Sequence, residues 1–199
     1  GYSYHYNSIG GAIINNTIAS NSYSIRFNFE SAGNIMYALS KATNIRKNSD
    51  GEYAILGIPY AQYVKGEFDF SKNIRIDHRN SFAFHIGMGI AVPYGNAKTI
   101  PFEKQYFSGG ANSVRGWTVR DLGPGSFVRD ENTNLLDQSG DIKLDASIEY
   151  RSKLFWKFQG AIFVDAGNIW TIRDYDNQPG GVFKFDKFYK QIAVAYGLG

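Results

Sequence analysis

The sequence predicts an all-β protein, a transmembrane antiparallel up-and-down β-barrel with one long loop folded inward. Three observations carry that prediction. Apolar and polar residues alternate with a period of two in segment after segment, the mark of strands with unlike faces. The connections between those segments alternate between long and short. The longest connection holds an arginine among small and aromatic residues, Val114-Arg115-Gly116-Trp117, and the strands after it carry acids on their polar faces.

Taken in order, Tyr2, Tyr4 and Tyr6 predict a first strand over residues 1–7. In 21–30, Tyr23, Ile25, Phe27 and Phe29 oppose Ser24, Arg26, Asn28 and Glu30. In 58–70, Val64, Phe68 and Phe70 oppose Lys65, Glu67 and Asp69. In 80–92, Phe82, Phe84, Ile86, Met88, Ile90 and Val92 oppose Ser81, Ala83, His85, Gly87, Gly89 and Ala91. Residues 93–140 form the inward loop. In 141–151, Ile142, Leu144, Ala146, Ile148 and Tyr150 alternate with Lys143, Asp145, Ser147, Glu149 and Arg151. In 158–168, Phe158, Ile162, Val164 and Ala166 oppose Gln159, Ala161, Phe163, Asp165 and Gly167. A last strand, 190–199, sets Ile192, Val194, Tyr196 and Leu198 against Ala193, Ala195, Gly197 and Gly199.

The segments Ser31 to Leu56, Pro93 to Gly140 and Asn168 to Lys190 are long and rich in Gly, Asn and Asp, whereas Ser71 to Asn80 and Ser152 to Lys157 are short. Long loops at one end and short turns at the other suit a membrane barrel, whose long loops lie outside the cell and whose turns lie in the periplasm. Within the first long loop, Ile35 to Lys41 has the pattern of a short helix. A soluble β-sandwich would also alternate, with its apolar faces meeting in a core. Small residues on the polar face between Ala83 and Ala91 favour the barrel, because they leave room inside for a folded-in loop. Tyr60, Tyr94, Phe155, Trp156 and Trp170 fall near strand ends, where an aromatic girdle sits.

Composition narrows the function classes. With 21 basic and 18 acidic residues, the net charge of +3 points to no nucleic acid partner. There is no cysteine, which excludes disulfides, thiol catalysis and thiolate metal sites. No apolar run reaches the ~18 residues of a membrane-spanning helix, so strands must do any spanning. The chain starts at Gly1 without a signal peptide and ends inside a strand pattern, so it reads as a fragment or a processed product. No cofactor or metal is called for. His5, His78 and His85 have no ligand spacing, Asp174, Asp176 and Asp186 read as a solvated loop face, and no Ser-His pair can be placed for barrel hydrolysis. An enzyme is therefore not expected.

A guanidinium in a restricted polar lumen needs partners, and a carboxylate presenting two oxygens is its best match. Glu149 and Asp165 are the candidates, each on the inward face of a neighbouring predicted strand. Gly116 would let the backbone turn beside the wall, and Trp117 would supply packing surface. The competing reading of Arg115-Gly116 is an ordinary exposed turn.

The run from Phe107 to Gly125 resembles the signature loop of the Omp85 superfamily, the BamA- and TamA-type outer-membrane assembly factors also described as the bacterial surface antigen (D15) family. Val114-Arg115-Gly116-Trp117 corresponds to that family's Val-Arg-Gly-Phe/Tyr motif, with Trp117 in the aromatic position. Glu149-Tyr150-Arg151 and the run from Phe163 through Asp165 to Trp170 are similar to the two strands that follow the loop in the family. The order and separation of these blocks match from the middle of the chain to its end. The resemblance implies that Arg115 docks on Glu149 and Asp165 with Phe163 beside them. It also implies a complete barrel of about sixteen strands preceded by periplasmic POTRA domains. Residues 1–199, with about seven countable strands, would be the C-terminal part of that barrel domain without its closing strands. The implied setting is the bacterial outer membrane. The implied role is non-enzymatic insertion or translocation of unfolded outer-membrane protein clients, in contact with outer-membrane lipids and with accessory lipoproteins or periplasmic subunits. The alternative is a passive channel or a pore of the two-partner-secretion type.

Overall fold

The computed structural model describes residues 1–14, 17–49, 51–128 and 137–199, with backbone alone for 8–14 and 17–20. Nine strands are described: β1 (Tyr2–Ile14), β2 (Thr17–Ala32), β3 (Ala54–Ile55), β4 (Ile58–Pro59), β5 (Tyr63–Arg75), β6 (Asn80–Pro93), β7 (Ile142–Lys153), β8 (Gln159–Trp170) and β9 (Ala193–Leu198). One α-helix, α1 (Asn34–Ala42), follows β2. Seven strands make one sheet in the order β1-β2-β5-β6-β7-β8-β9, every neighbour antiparallel. All of them except β9 have 12 to 16 residues, enough to cross a bilayer when tilted. Among the described residues β1 and β9 do not pair, so the sheet is an open arc.

The faces of this arc exclude a sandwich. Ile86, Met88, Ile90, Ile148, Ile162, Val164, Val194 and Tyr196 point to the convex side and are exposed. Ala91, Asp145, Asp165 and Ala195 point to the other side and are buried. A water-soluble sheet would bury the first set and solvate the second; a barrel wall facing lipid does the reverse. Cross-strand register builds apolar rows along the outer face, such as Phe27, Phe68, Met88 and Leu144 on four successive strands.

The third strand lies further along the chain than the predicted 58–70. Leu56 and Gly57 both have positive φ, 51° and 81°, the backbone of a tight two-residue hairpin. That turn takes Ile58–Pro59 into a small separate hairpin with Ala54–Ile55. The barrel strand then begins at Tyr63 and runs to Arg75, absorbing the first half of the predicted Ser71 to Asn80 turn. The first two strands are longer than 1–7 and 21–30, pairing continuously from Tyr2↔Phe29 to Ile14↔Thr17. The predicted helix is present as α1, and the last strand is shorter than 190–199.

Residues between β6 and β7 turn back over the concave face and supply what the small residues leave open. Tyr106 lies on Gly89, where an added Cβ would come 2.5 Å from its ring. Its N–H and C=O exchange hydrogen bonds with Gly140 at 2.8 Å. Tyr63, Ala91, Ile100, Tyr106 and Ile169 make one buried cluster there. Lys104 reaches Glu30 on β2 at 2.7 Å, and Tyr63 donates to the same carboxylate at 2.6 Å. Tyr60 and Tyr94, expected in the girdle, hydrogen-bond Ser40 and Asn34 at α1. Trp170 is fully buried under Phe183 and Phe188, so loop aromatics take its expected exposed place. At the short-turn end Phe155 and Trp156 are exposed.

Replacing Gly89 with Val should force Tyr106 off the wall and cost about 1–3 kcal/mol by overpacking. The expected result is a lower urea midpoint for the folded barrel, followed by its gel mobility before and after boiling. An unchanged midpoint would show that the ring is not seated on the glycine.

Candidate functional site

The tip of the inward loop is a compact doubled-back segment built by its own backbone. Ser108 bridges to Leu122, the Gly110 N–H donates to the Trp117 carbonyl at 2.8 Å, and the Arg120 N–H donates to Ser108 at 2.9 Å. Gly109 sits at φ +96° with the Thr118 carbonyl 2.0 Å from where a Cβ would be, so no other residue fits there. A turn closed by the Trp117 N–H on the Val114 carbonyl at 3.2 Å then presents Arg115 outward from the loop and toward the wall.

Arg115 docks on two strands at once. Its Nε donates to Asp165 Oδ2 and an Nη donates to Oδ1, both at 2.7 Å, while its backbone N–H reaches Oδ2 at 3.1 Å. The other Nη donates to Glu149. The guanidinium carbon stands 3.5 Å from the centre of the Phe163 ring, in stacking contact. Asp165 is fully buried, Glu149 is 14% exposed and Arg115 is 26% exposed. A carboxylate as buried as Asp165 carries a large desolvation penalty unless it is paired and hydrogen-bonded, and Arg115 supplies all three of these contacts. The hydrogen bonds to Asp165, with those to Glu149, outweigh burial and hold the Arg115 pKa above its ordinary value.

Strand register explains the convergence. Glu149 pairs Phe163, which pairs Gly197, and Asp165 pairs Ala195 one inward position along. All five side-chain positions face the lumen. Gly116 lies against Ala195, with an added Cβ only 2.7 Å from the alanine methyl, and Gly197 makes room for the Phe163 ring in the same way at 2.6 Å. Val114 is fully buried with Leu122 and Ala195, and Trp117 packs at the edge of that cluster. The structure thus brings together Val114, Arg115, Gly116, Trp117, Glu149, Phe163 and Asp165.

Several participants had weaker sequence signals. Arg151 donates to the free oxygen of Glu149 at 2.6 Å, so two carboxylates face two guanidinium groups. Its signal was its spacing of two from Glu149 on one strand face. Ala195 and Gly197 are small lumen-facing residues whose meaning depends on what lies above them. Asn168 holds the far end of the loop by donating to the Gly125 carbonyl at 2.8 Å and to the Gln191 carbonyl. His85 lies 3.5 Å from Asp69 and from Asp145 on the lumen wall. Among the described residues no group of three or more His, Cys, Asp or Glu side chains could hold a metal.

A family model described as the Omp85 superfamily domain matches residues 15–199. The outer membrane protein assembly factor BamA of Neisseria meningitidis serogroup B is 35% identical over 99 residues, which cover 45% of this chain and 12% of that protein. The crystal structure of BamA from Haemophilus ducreyi lacking POTRA domains 1-3 superposes with a TM-score of 0.54 at 18% identity, over 98% of this chain and 47% of that chain. At that identity the superposition speaks for the barrel fold alone. The chain spans about an eighth of the first relative and about half of the second.

Removing one partner of a buried ion pair costs about 3–5 kcal/mol. Because the Arg115 side chain keeps some exposure, Arg115→Ala should weaken loop docking by about 3 kcal/mol, the low end of that range. Arg115→Lys keeps the charge but not the two-pronged grip, and an intermediate loss is expected. Chymotrypsin cleavage after Phe107 and Trp117 in the folded barrel reads this directly; equal cleavage rates in the three proteins would contradict it.

Proposed function

The chain belongs to the Omp85 superfamily, and from that premise we propose that it forms the C-terminal part of a BamA- or TamA-like barrel that inserts or translocates other outer-membrane proteins. It is a protein of the bacterial outer membrane. The observation that carries the reading is the docked loop: Arg115 fastens residues 106–126 to β7 and β8 while Gly116 seats on β9. No bond of a client need be made or broken for this role. Clients enter by backbone pairing at a strand edge, which needs a barrel of defined shape beside them more than it needs reactive groups. Arg115, Glu149, Phe163 and Asp165 act as positioning residues, holding the loop so that the wall keeps that shape. Unfolded outer-membrane proteins are the clients, lipids of the outer membrane surround the barrel, and lipoproteins or periplasmic subunits are the accessory partners.

The alternative is a passive channel or a two-partner-secretion-type pore, in which the same docked loop and its acids would set the conductance. The loop covers the concave face of β6 to β9 and buries Tyr106, Val114 and Leu122 against the wall.

In liposomes containing the full-length protein, Arg115→Ala is expected to slow folding of an added barrel client several-fold while the altered protein itself remains folded. Wild-type client folding by that variant would remove Arg115 from the mechanism. In planar bilayers the parent protein should pass little current with irregular openings, and large, steady conductance would favour the pore.

A further inference from the structure

The outer face of the arc is an apolar belt with a gap at Gly66. In its row, Gly66 on β5 stands between Phe29 on β2 and Ile90 on β6, and a Cβ added there would touch nothing within 4 Å. The missing side chain opens a groove of about 470 Å³, in the range of ligand clefts. Phe27, Phe68, Met88, Ile90, Trp170 and Phe188 line it. Gly66 is three residues below Tyr63, at the long-loop end of β5. With a rise of about 3.3 Å per residue, the gap lies roughly 10 Å along the tilted strand from Tyr63. Long loops mark the outer surface of such barrels, so this is the depth of acyl chains in the outer leaflet.

The rim of the groove has a different chemistry. Phe183 and Phe188 form an aromatic cluster with Trp170, at ring distances of 5.6 and 6.2 Å. The segment that carries them reads Phe183-Lys184-Phe185-Asp186-Lys187-Phe188-Tyr189-Lys190. Lys184, Lys187 and Lys190 are exposed, and none has an acidic partner within 4.0 Å among the described residues. Phe185 and Tyr189 are also exposed, as side chains at a membrane surface are. Three cations and one acid therefore lie on the same short segment as Phe183 and Phe188, the two rings that line the slot.

We propose that the Gly66 gap and the lysine-bearing rim bind a phosphorylated lipid of the outer leaflet, with an acyl chain in the gap and the phosphate against Lys184, Lys187 and Lys190. An ordinary lipid-facing surface would need neither the gap nor the unpaired lysines. Lysines near an anionic membrane surface attract it additively, and the aromatic rings fix the depth at which they act. The proposal rests on the outer-membrane placement of the barrel and not on client assembly.

Native mass spectrometry of the full-length protein in detergent, with added lipid A, phosphatidylcholine or inorganic phosphate, tests this. Wild type should retain lipid A in preference to phosphatidylcholine, and inorganic phosphate should not displace it. Lys184→Gln/Lys187→Gln/Lys190→Gln should lower lipid A retention at least on the order of tenfold. Gly66→Leu, which has open space to occupy and should leave the barrel folded, should lower retention by filling the gap. Wild-type retention by either altered protein, or displacement by inorganic phosphate at the concentration of the lipid, would overturn the site.

Discussion

A carboxylate with no exposure to solvent sits on the inner wall of this barrel, and the arrangement around it follows from that fact. Asp165 points inward because β8 alternates, and it lies beneath the loop because its neighbours on β9 are small. An ionised group so placed needs a cation of matching geometry, and only a guanidinium offers two parallel donors. The loop tip brings Arg115 to that position, and its backbone N–H adds a third donor. The attachment is therefore directional: it fixes where the tip lies and how it is turned, which apolar contact alone does not.

The second controlling feature is the inversion of the usual distribution of polarity. Large apolar side chains face outward on every barrel strand, while the concave side mixes acids, lysines, glycines and alanines. Inward packing consequently comes from the connection between β6 and β7, not from a second sheet. Tyr106 on Gly89 and Val114 with Ala195 are the places where that connection becomes core. Small wall residues and bulky loop residues are two halves of one packing solution.

Much of this was legible in the sequence because strand alternation has a short, exact period. The faces of β6, β7 and β8 could be assigned residue by residue, and with them the inward placement of Glu149, Phe163 and Asp165. Position along the chain was harder to read. The start of β5 depends on a hairpin turn at Leu56-Gly57, where a leucine with positive φ gives no compositional warning. The extensions of β1 and β2 mix isoleucine with Gly, Ala, Ser and Thr in no strict order, so alternation faded there although the ladder continues. Trp170 looked like a girdle residue, but whether a tryptophan at a strand end is exposed depends on what the next loop lays over it. Arg151, Ala195 and Gly197 acquire meaning only from cross-strand register, a relation between distant residues that no local pattern contains.

Gly116 meets Ala195 and Arg115 meets Asp165, so a single turn of backbone touches a matched pair of residues on β8 and β9. Slippage of β9 by one residue would flip its faces and set Val194 or Tyr196, both bulky, where the alanine methyl now fits. The tip can then no longer close. It works as a gauge of strand alignment: from inside the lumen it accepts one pairing of β8 with β9 and rejects its nearest errors.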